Sequence, residues 1–354
     1  MIENRTGANQ TPGLFRRNLA FWITLIVMIL LPFVIGALEG ASPGQVWRNE
    51  TGISKFIQGL GIEIFILALY ALSYDLIFGI TGLLSFGHAM FFATGAYMTG
   101  IMLKSFNLPL GITILVVIGA SFVNALLFGV VLPRVKGITF ALVTLGLASV
   151  FNIVVMSREL GDYTGADVGL QGVVTPEFIS PANERLRFYF IALVILVLFY
   201  LLYRRFVSSP TGRVCIATRE NEGRARMLGY NTFYFKLIAL TLSSATAAMA
   251  GALYALYQPI VSPTIAGLGY TVTALLIILI GGVGTLSGAL IGAAVYRLLD
   301  FGLRRYIGES ASFISGAIYV AIVLFLPYGI VGIWALKSFQ LKQGWKRLIG
   351  LVKG

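Results

Sequence analysis

The sequence predicts an all-α polytopic membrane protein with about ten transmembrane or re-entrant helices. Three observations predict it. The chain has 354 residues, of which 58% are hydrophobic and only 11% charged, with a mean hydropathy of +0.89; a soluble domain carries about 25% charged residues. The apolar residues gather into successive runs of about 20, the length that crosses the hydrocarbon core of a bilayer as a helix. Lysine and arginine concentrate in alternate connections, as they do in loops that stay in the cytoplasm. The net charge of +12 would suggest nucleic acid in a soluble chain. Here the charge sits in short loops and tails, where orientation and anionic lipid account for it, so no nucleic-acid partner is expected. One cysteine, Cys215, and one histidine, His88, exclude an intrachain disulfide framework, a thiolate cluster and a His-rich metal site.

Arg16 and Arg17 precede an apolar run from Leu19 to Leu38. Its length suits a retained first helix rather than the shorter core of a signal peptide. Further spans are predicted at 57–80, 83–103, 109–132, 138–156, 188–207, 236–257, 264–281, 286–301 and 311–330. The connection holding Glu39, Arg48, Glu50 and Lys55 is neutral, and 157–187 is acidic, so both are expected outside. Arg134, Lys136, the loop 204–236 and the tail with Lys337, Lys342, Lys346, Arg347 and Lys353 are expected inside. An even number of crossings places both termini in the cytoplasm. That count requires IILIGGVGTLSG to be the bend of a hairpin, with Gly281, Gly282, Gly284 and Gly288 permitting the turn. Its short arms allow one or both to be re-entrant.

FGITGLLS (78–85) and IGGVGTLS (280–287) share the pattern G-x-x-G-x-L-S, pairing Gly79 with Gly281, Gly82 with Gly284, Leu84 with Leu286 and Ser85 with Ser287. The echo suggests an internal two-fold repeat, and Gly-interrupted spans at corresponding places point to a transport pathway. On the helix expected over TGLLSFGHAMFFATGAYMTG (81–100), Gly82, Ser85, Ala89, Ala93, Ala96 and Gly100 form a stripe of small residues that lets a neighbouring helix approach; the small-residue run Ser243–Ala255 does the same. His88 falls about 100° from that stripe. Packing against a neighbour and contact with the pathway are both open to it. Glu63 is expected near the outer end of the second span and Asp75 exposed at its inner interface, neither with an obvious basic partner in the membrane. Asp162 and Asp167 lack the spacing of a hand-type calcium loop and are expected on a solvated acidic surface.

The segment Thr211–Lys236 is the most distinctive. Arg204, Arg205, Arg213, Arg219, Arg224, Arg226 and Lys236 stand against only Glu220 and Glu222. A helical middle, Arg219 to Leu228, is expected to stop at Gly229, which tolerates a left-handed cap. Such a loop can anchor topology or dock a cytosolic partner. The chain has no phosphate-binding G-x-x-x-x-G-K-[ST] motif and no hydrolytic constellation, so it is not expected to be an enzyme. Energy must come from a gradient or a partner.

Four blocks then carry a resemblance. GITGLLSFGHAMFFATGAYMTG, GRVCIATRENEGRARMLGYNTFYFKLIALTLSSATAAMAGALYA, GGVGTLSGALIGAAV and LFLPYGIVGIW resemble, in that order, the M-type permeases of ABC importers for branched-chain amino acids, over residues 57 to 335. The resemblance implies a single inner-membrane permease domain that pairs with a second, related permease. Two cytosolic ATPase subunits would use ATP and magnesium, the chain itself holding no cofactor, and a periplasmic or lipid-tethered binding protein would deliver the substrate. It makes 204–236 a cytoplasmic coupling loop, with Arg219, Glu220, Asn221, Glu222, Arg224 and Gly229 at the ATPase contact, makes 157–187 a periplasmic loop, and makes Gly82, Ser85 and His88 candidates for the path. Related permeases carry urea, short amides or other small organic acids. An ion-coupled carrier using His88, Glu63 and Asp75 is the competing class, and a structural or receptor-like protein is the third.

Overall fold

The computed structural model describes residues 19–50, 52–326 and 328–334. Arg16, Arg17 and the five basic residues of the tail lie outside the described residues. Helices dominate, and eleven are named here. They are α1 (Leu19–Leu38), α2 (Gly52–Tyr74), α3 (Ala89–Lys104), α4 (Leu110–Val131), α5 (Ile138–Met156), α6 (Arg185–Ser208), α7 (Pro210–Met227), α8 (Thr232–Tyr257), α9 (Leu268–Gly281), α10 (Ser287–Ile307) and α11 (Ala311–Phe325). Each predicted span therefore meets a helix. Among the described residues six runs are long and apolar enough to cross a membrane: 52–80, 110–131, 138–156, 185–208, 232–257 and 313–334. The fold is thus an all-α multi-pass membrane protein. α9, with 14 residues, rises only about 21 Å, short of the ~30 Å hydrocarbon core.

The chain forms two compact units, divided after Gly59. In the first, α1 leads to a short helix, Pro43–Trp47, opened by a reciprocal capping box between Ser42 and Gln45. The Glu39 carboxylate accepts the Ile53 and Ser54 amides at 2.8 and 3.0 Å, a negative cap on the first turn of α2.

The second unit is organised around α8. Its small residues let neighbours approach to backbone contact. A Cβ on Gly251 would strike the Phe92 carbonyl of α3, and one on Gly95 the Ala248 carbonyl. Three hydroxyl bonds extend this contact. Ser243 donates to the Ser73 carbonyl at 2.6 Å, Ser244 to that of Ser121 at 2.8 Å, and Tyr203 to Thr246 Oγ1 at 2.7 Å. In a membrane, where apolar burial between helices gains little, such close approach and interhelical hydrogen bonds hold the bundle. Large apolar residues of α4 and α5, such as Leu115, Val130, Val150 and Ile153, are exposed and suit a lipid boundary. The connection between α5 and α6 is tied down by a two-residue strand, Leu170–Gln171, paired antiparallel with Ile260–Val261.

Two expectations change here. The span 83–103 is not helical from its start: α2 winds into a π-helical turn, Asp75–Ile80, the chain runs irregularly from Thr81 to His88, and α3 begins only at Ala89. Gly82 and Ser85 therefore lie before the helix, and the stripe on α3 reduces to Ala89, Ala93, Ala96 and Gly100, all buried. The physical reason is Gly82, whose φ of +78° ends the helical path. The helical middle of the basic loop is also not continuous, because α7 breaks at Asn221 (φ −160°, ψ 99°).

Candidate functional site

The two halves of the sequence echo meet. Gly82 and Gly284, the paired glycines, both hold positive φ, +78° and +75°, so each motif ends a helix with the same left-handed step. The first opens the irregular crossing to α3. The second, with Gly282 at φ +122°, makes the predicted hairpin between α9 and α10, in which Gly281 lies against the Gly288 carbonyl and Gly292 against that of Ile277. The Asp75 carboxylate joins the turns, accepting the Gly284 amide at 2.6 Å and the Leu286 amide at 3.2 Å. Arg219 of α7 donates to the Gly79 carbonyl and packs over Gly82 and Gly284. Asp75 is 1% exposed, which overturns its expected place at the interface. Its partners lie more than two hundred residues away, beyond any local reading.

α7 is a two-part helix. Ser209 caps its start, accepting the Gly212 amide at 3.2 Å, and Asn221 Oδ1 caps the second part through the Arg224 amide at 3.0 Å. Gly229 follows the helix at φ +88°, the expected stop. Of the residues predicted there, Glu220, Asn221, Arg224 and Gly229 are exposed, and Arg219 is exposed along part of its length while its guanidinium reaches the glycine crossing. Glu222 instead turns back onto the bundle. It receives Lys236 Nζ at 2.8 Å, Arg226 Nη2 at 2.6 Å and Thr232 Oγ1 at 2.9 Å. Burial pushes the Glu222 carboxyl up, but the hydrogen bonds from Lys236 and Thr232, the Lys236 charge and the Arg226 bond together hold it down at about 2. This cluster walls a polar cavity of about 390 Å³ with Tyr230, Asn231 and Phe233. Beside it stand Met227 and Leu228, 88% and 77% exposed, apolar side chains on a charged helix. Sequence reasoning passed over them because they end a helical run. Their side chains are available for contact from outside the chain. Cys215 is buried in α7.

His88 and Ser85 are fully buried. His88 Nε2 lies 2.8 Å from Ser73 Oγ, with the rings of Tyr70, Tyr74 and Phe91 around it. The Ser85 carbonyl accepts the Tyr74 hydroxyl at 3.0 Å. These two residues brace the first glycine turn from within.

At the other end of α8 lies a cavity of about 320 Å³, lined by Glu63, Ile66 and Leu67 of α2, Tyr254 and Tyr257 of α8, Tyr270 and Thr273 of α9, and Tyr296, Arg297 and Asp300 of α10. Arg297 pairs with Glu63 and, at 2.9 Å, with Asp300; Arg304 also binds Asp300, at 2.8 Å. Glu63 was expected to lack a basic partner, and Arg297 corrects that. The signal was in the sequence: Arg297 and Asp300 are charged residues three apart within an arm predicted to lie in the membrane, where charge is costly and usually functional.

A multi-pass membrane protein whose helices are broken by paired glycine turns, with a charged helix locked onto the break, has the build of a transport component. The comparisons with known proteins place it more narrowly. Residues 56–326 match the family described as branched-chain amino acid transport system / permease component, and the chain belongs to that family. It is 27% identical to the high-affinity branched-chain amino acid transport system permease protein LivM of Escherichia coli, over 92% of this chain and 77% of the relative. The LivM protein of Salmonella typhimurium is 25% identical over 93% and 78%. The permease protein LivH of the same organism is 24% identical over 75% and 91%. No solved structure gives a significant match.

Proposed function

We propose that this chain is a permease subunit of an ATP-binding-cassette importer that carries leucine, isoleucine and valine across a bacterial inner membrane by alternating access. Both termini and α7 face the cytoplasm in this reading, consistent with the basic residues there. A second, related permease completes the pathway, and the likeness to proteins of both the LivM and LivH names supports that pairing. Two cytosolic ATPase subunits hydrolyse ATP with magnesium, and a periplasmic or lipid-anchored binding protein delivers the amino acid.

The observation that carries the reading is the path from α7 to the glycine crossing. Glu220, Arg224, Met227 and Leu228 offer charge and apolar surface outward, while Arg219, next to Glu220 on the near side of the Asn221 break, bonds the Gly79 carbonyl between the two turns. An ATPase subunit that pulls on α7 when it binds ATP therefore moves the crossing directly. The two access states need differential contacts, and the Arg219 and Asp75 bonds are the contacts available to differ. A carrier driven by an ion gradient has no use for this outward-facing socket.

The test is uptake into membrane vesicles holding this chain, its partner permease, the ATPase subunits and the binding protein. ATP-dependent entry of labelled leucine that is abolished by reversing the charge of Arg224, with ATPase subunits no longer co-purifying, is the expected result. Urea entry without leucine entry would change the cargo. Entry that follows a proton gradient and ignores ATP would overturn the reading.

A further inference from the structure

We propose that the cavity between α2, α8, α9 and α10 is the chain's own holding site for a small α-amino acid, bound as a zwitterion. This assignment names the substrate site of the importer just described and rests on that reading for its role in transport.

Volume sets the first limit. At about 320 Å³ the cavity lies at the lower end of the range for small-molecule sites, enough for one amino acid. Chemistry sets the second. Arg297 reaches Glu63 through Nε and Nη2 and Asp300 through Nη1, so it keeps two of the five N–H donors of a guanidinium. Glu63 meets Arg297 through Oε2, and among the described residues Oε1 is left as an acceptor. Two carboxylates thus line the cavity against one cation, with Arg304 reaching Asp300 from a largely exposed position. With Arg304 counted the charges of the cluster are matched, and a zwitterion, neutral overall, leaves that balance in place.

The cation and anion of the cargo then have separate addresses. An ammonium takes Glu63 Oε1. A carboxylate takes the remaining N–H groups of Arg297 and the hydroxyls of Tyr254, Tyr257 and Tyr270, which bond no other side chain among the described residues. Ile66 and Leu67 provide an apolar wall for an aliphatic side chain. Charged groups inside a membrane protein are costly unless paired or used.

The experiment measures equilibrium binding of labelled leucine to the assembled permease and ATPase complex in lipid nanodiscs, without ATP or binding protein. Uptake into vesicles is measured in parallel. Losing one hydrogen bond to a charged group corresponds to roughly tenfold or more in affinity, so Glu63→Gln and Arg297→Gln should each weaken leucine by at least that factor. Leucinamide, which lacks the carboxylate, and 4-methylpentanoate, which lacks the ammonium, should displace leucine poorly from the wild type. In Glu63→Gln the discrimination against 4-methylpentanoate should narrow. Thr273→Trp fills the cavity without touching the ion pairs, and carries the test if the charge variants fail to assemble; it should abolish binding in a complex that still assembles.

The doubly swapped Glu63→Arg, Arg297→Glu chain separates cargo site from structural pair. Restored assembly with binding still lost supports the proposal. Restoration of both to wild-type levels overturns it, as does displacement by urea in place of leucine, or unchanged binding in the folded Thr273→Trp chain. Wild-type complex that binds leucine here but shows no ATP-driven uptake would sink the importer reading and leave the site standing.

Discussion

The two ends of α8 carry two ionic clusters that differ in how fully their atoms are paired. Near its start, one carboxylate, Glu222, is shared between two cations, Lys236 and Arg226, with Thr232 adding a fourth group. Near its other end, two carboxylates, Glu63 and Asp300, share Arg297 at a cavity, with Arg304 reaching Asp300 from an exposed position. The first cluster is complete: each Glu222 oxygen has a partner, and Lys236 is only 8% exposed. The second keeps Glu63 Oε1 and two Arg297 N–H donors without a partner among the described residues. Charge that is fully satisfied fastens one element to another, whereas charge left partly unsatisfied is available to a ligand. On this contrast the first cluster clamps α7 onto the bundle and the second receives cargo.

Mutations at the two ends should therefore fail in different ways. The largest effect on stability is expected at Glu222→Ala, which strands Lys236 with its charge nearly buried. Breaking a buried pair from one side costs about 3–5 kcal/mol; with Glu222 22% exposed, about 2 kcal/mol or more remains. A clear fall in the thermal unfolding midpoint of the purified chain would show it, and an unchanged midpoint would remove the distinction between clamp and receptor. Glu63→Gln should shift that midpoint far less while leucine uptake drops by roughly tenfold. A large loss of stability with normal transport would invert the contrast.

Arg219→Gln comes next. It removes the bond to the Gly79 carbonyl while leaving the outward face of α7 in place. ATP hydrolysis by the assembled complex should continue and leucine uptake should fall several-fold, a ratio read directly in vesicles. Uptake and hydrolysis falling together would mean that Arg219 holds the ATPase contact itself.

Which of these features the sequence disclosed follows from range. The apolar runs, the hairpin at Gly281–Gly284, the stop at Gly229 and the echo around Gly82 and Gly284 are local, and each is legible because glycine and apolar length act within a few residues. The start of α3 was missed because Leu83, Leu84, Phe86 and Ala89 continue an apolar pattern that one left-handed residue interrupts. Asp75 was misplaced because its amide partners lie 209 and 211 residues on, and the Glu63–Arg297 pair spans 234. Side chains that meet only through tertiary packing leave no spacing to read. The Asn221 break is a middle case, since an asparagine that caps its own helix segment is a local signal, masked here by the charged run around it.

The smallest effect concerns acid, and it tests the clamp most specifically. The Glu222 carboxyl ordinarily titrates near 4.5 and in the folded chain is held at about 2. A carboxyl with a depressed value stabilises the fold while ionised, so its contribution is complete above about 4.5 and is lost as the pH falls toward 2. The difference in unfolding midpoint between wild type and Glu222→Gln should thus be constant from neutral pH down to about 5 and shrink steadily below 4.5. The Gln variant keeps the side-chain length and an acceptor for Thr232 but has no charge for Lys236, so the pH-dependent part of the difference isolates the ion pair. A difference that stays flat down to pH 3 would mean that Glu222 acts through hydrogen bonding alone. Lys236 would then need some other source of compensation for its burial, and the contrast between the ends of α8 would rest on geometry rather than charge.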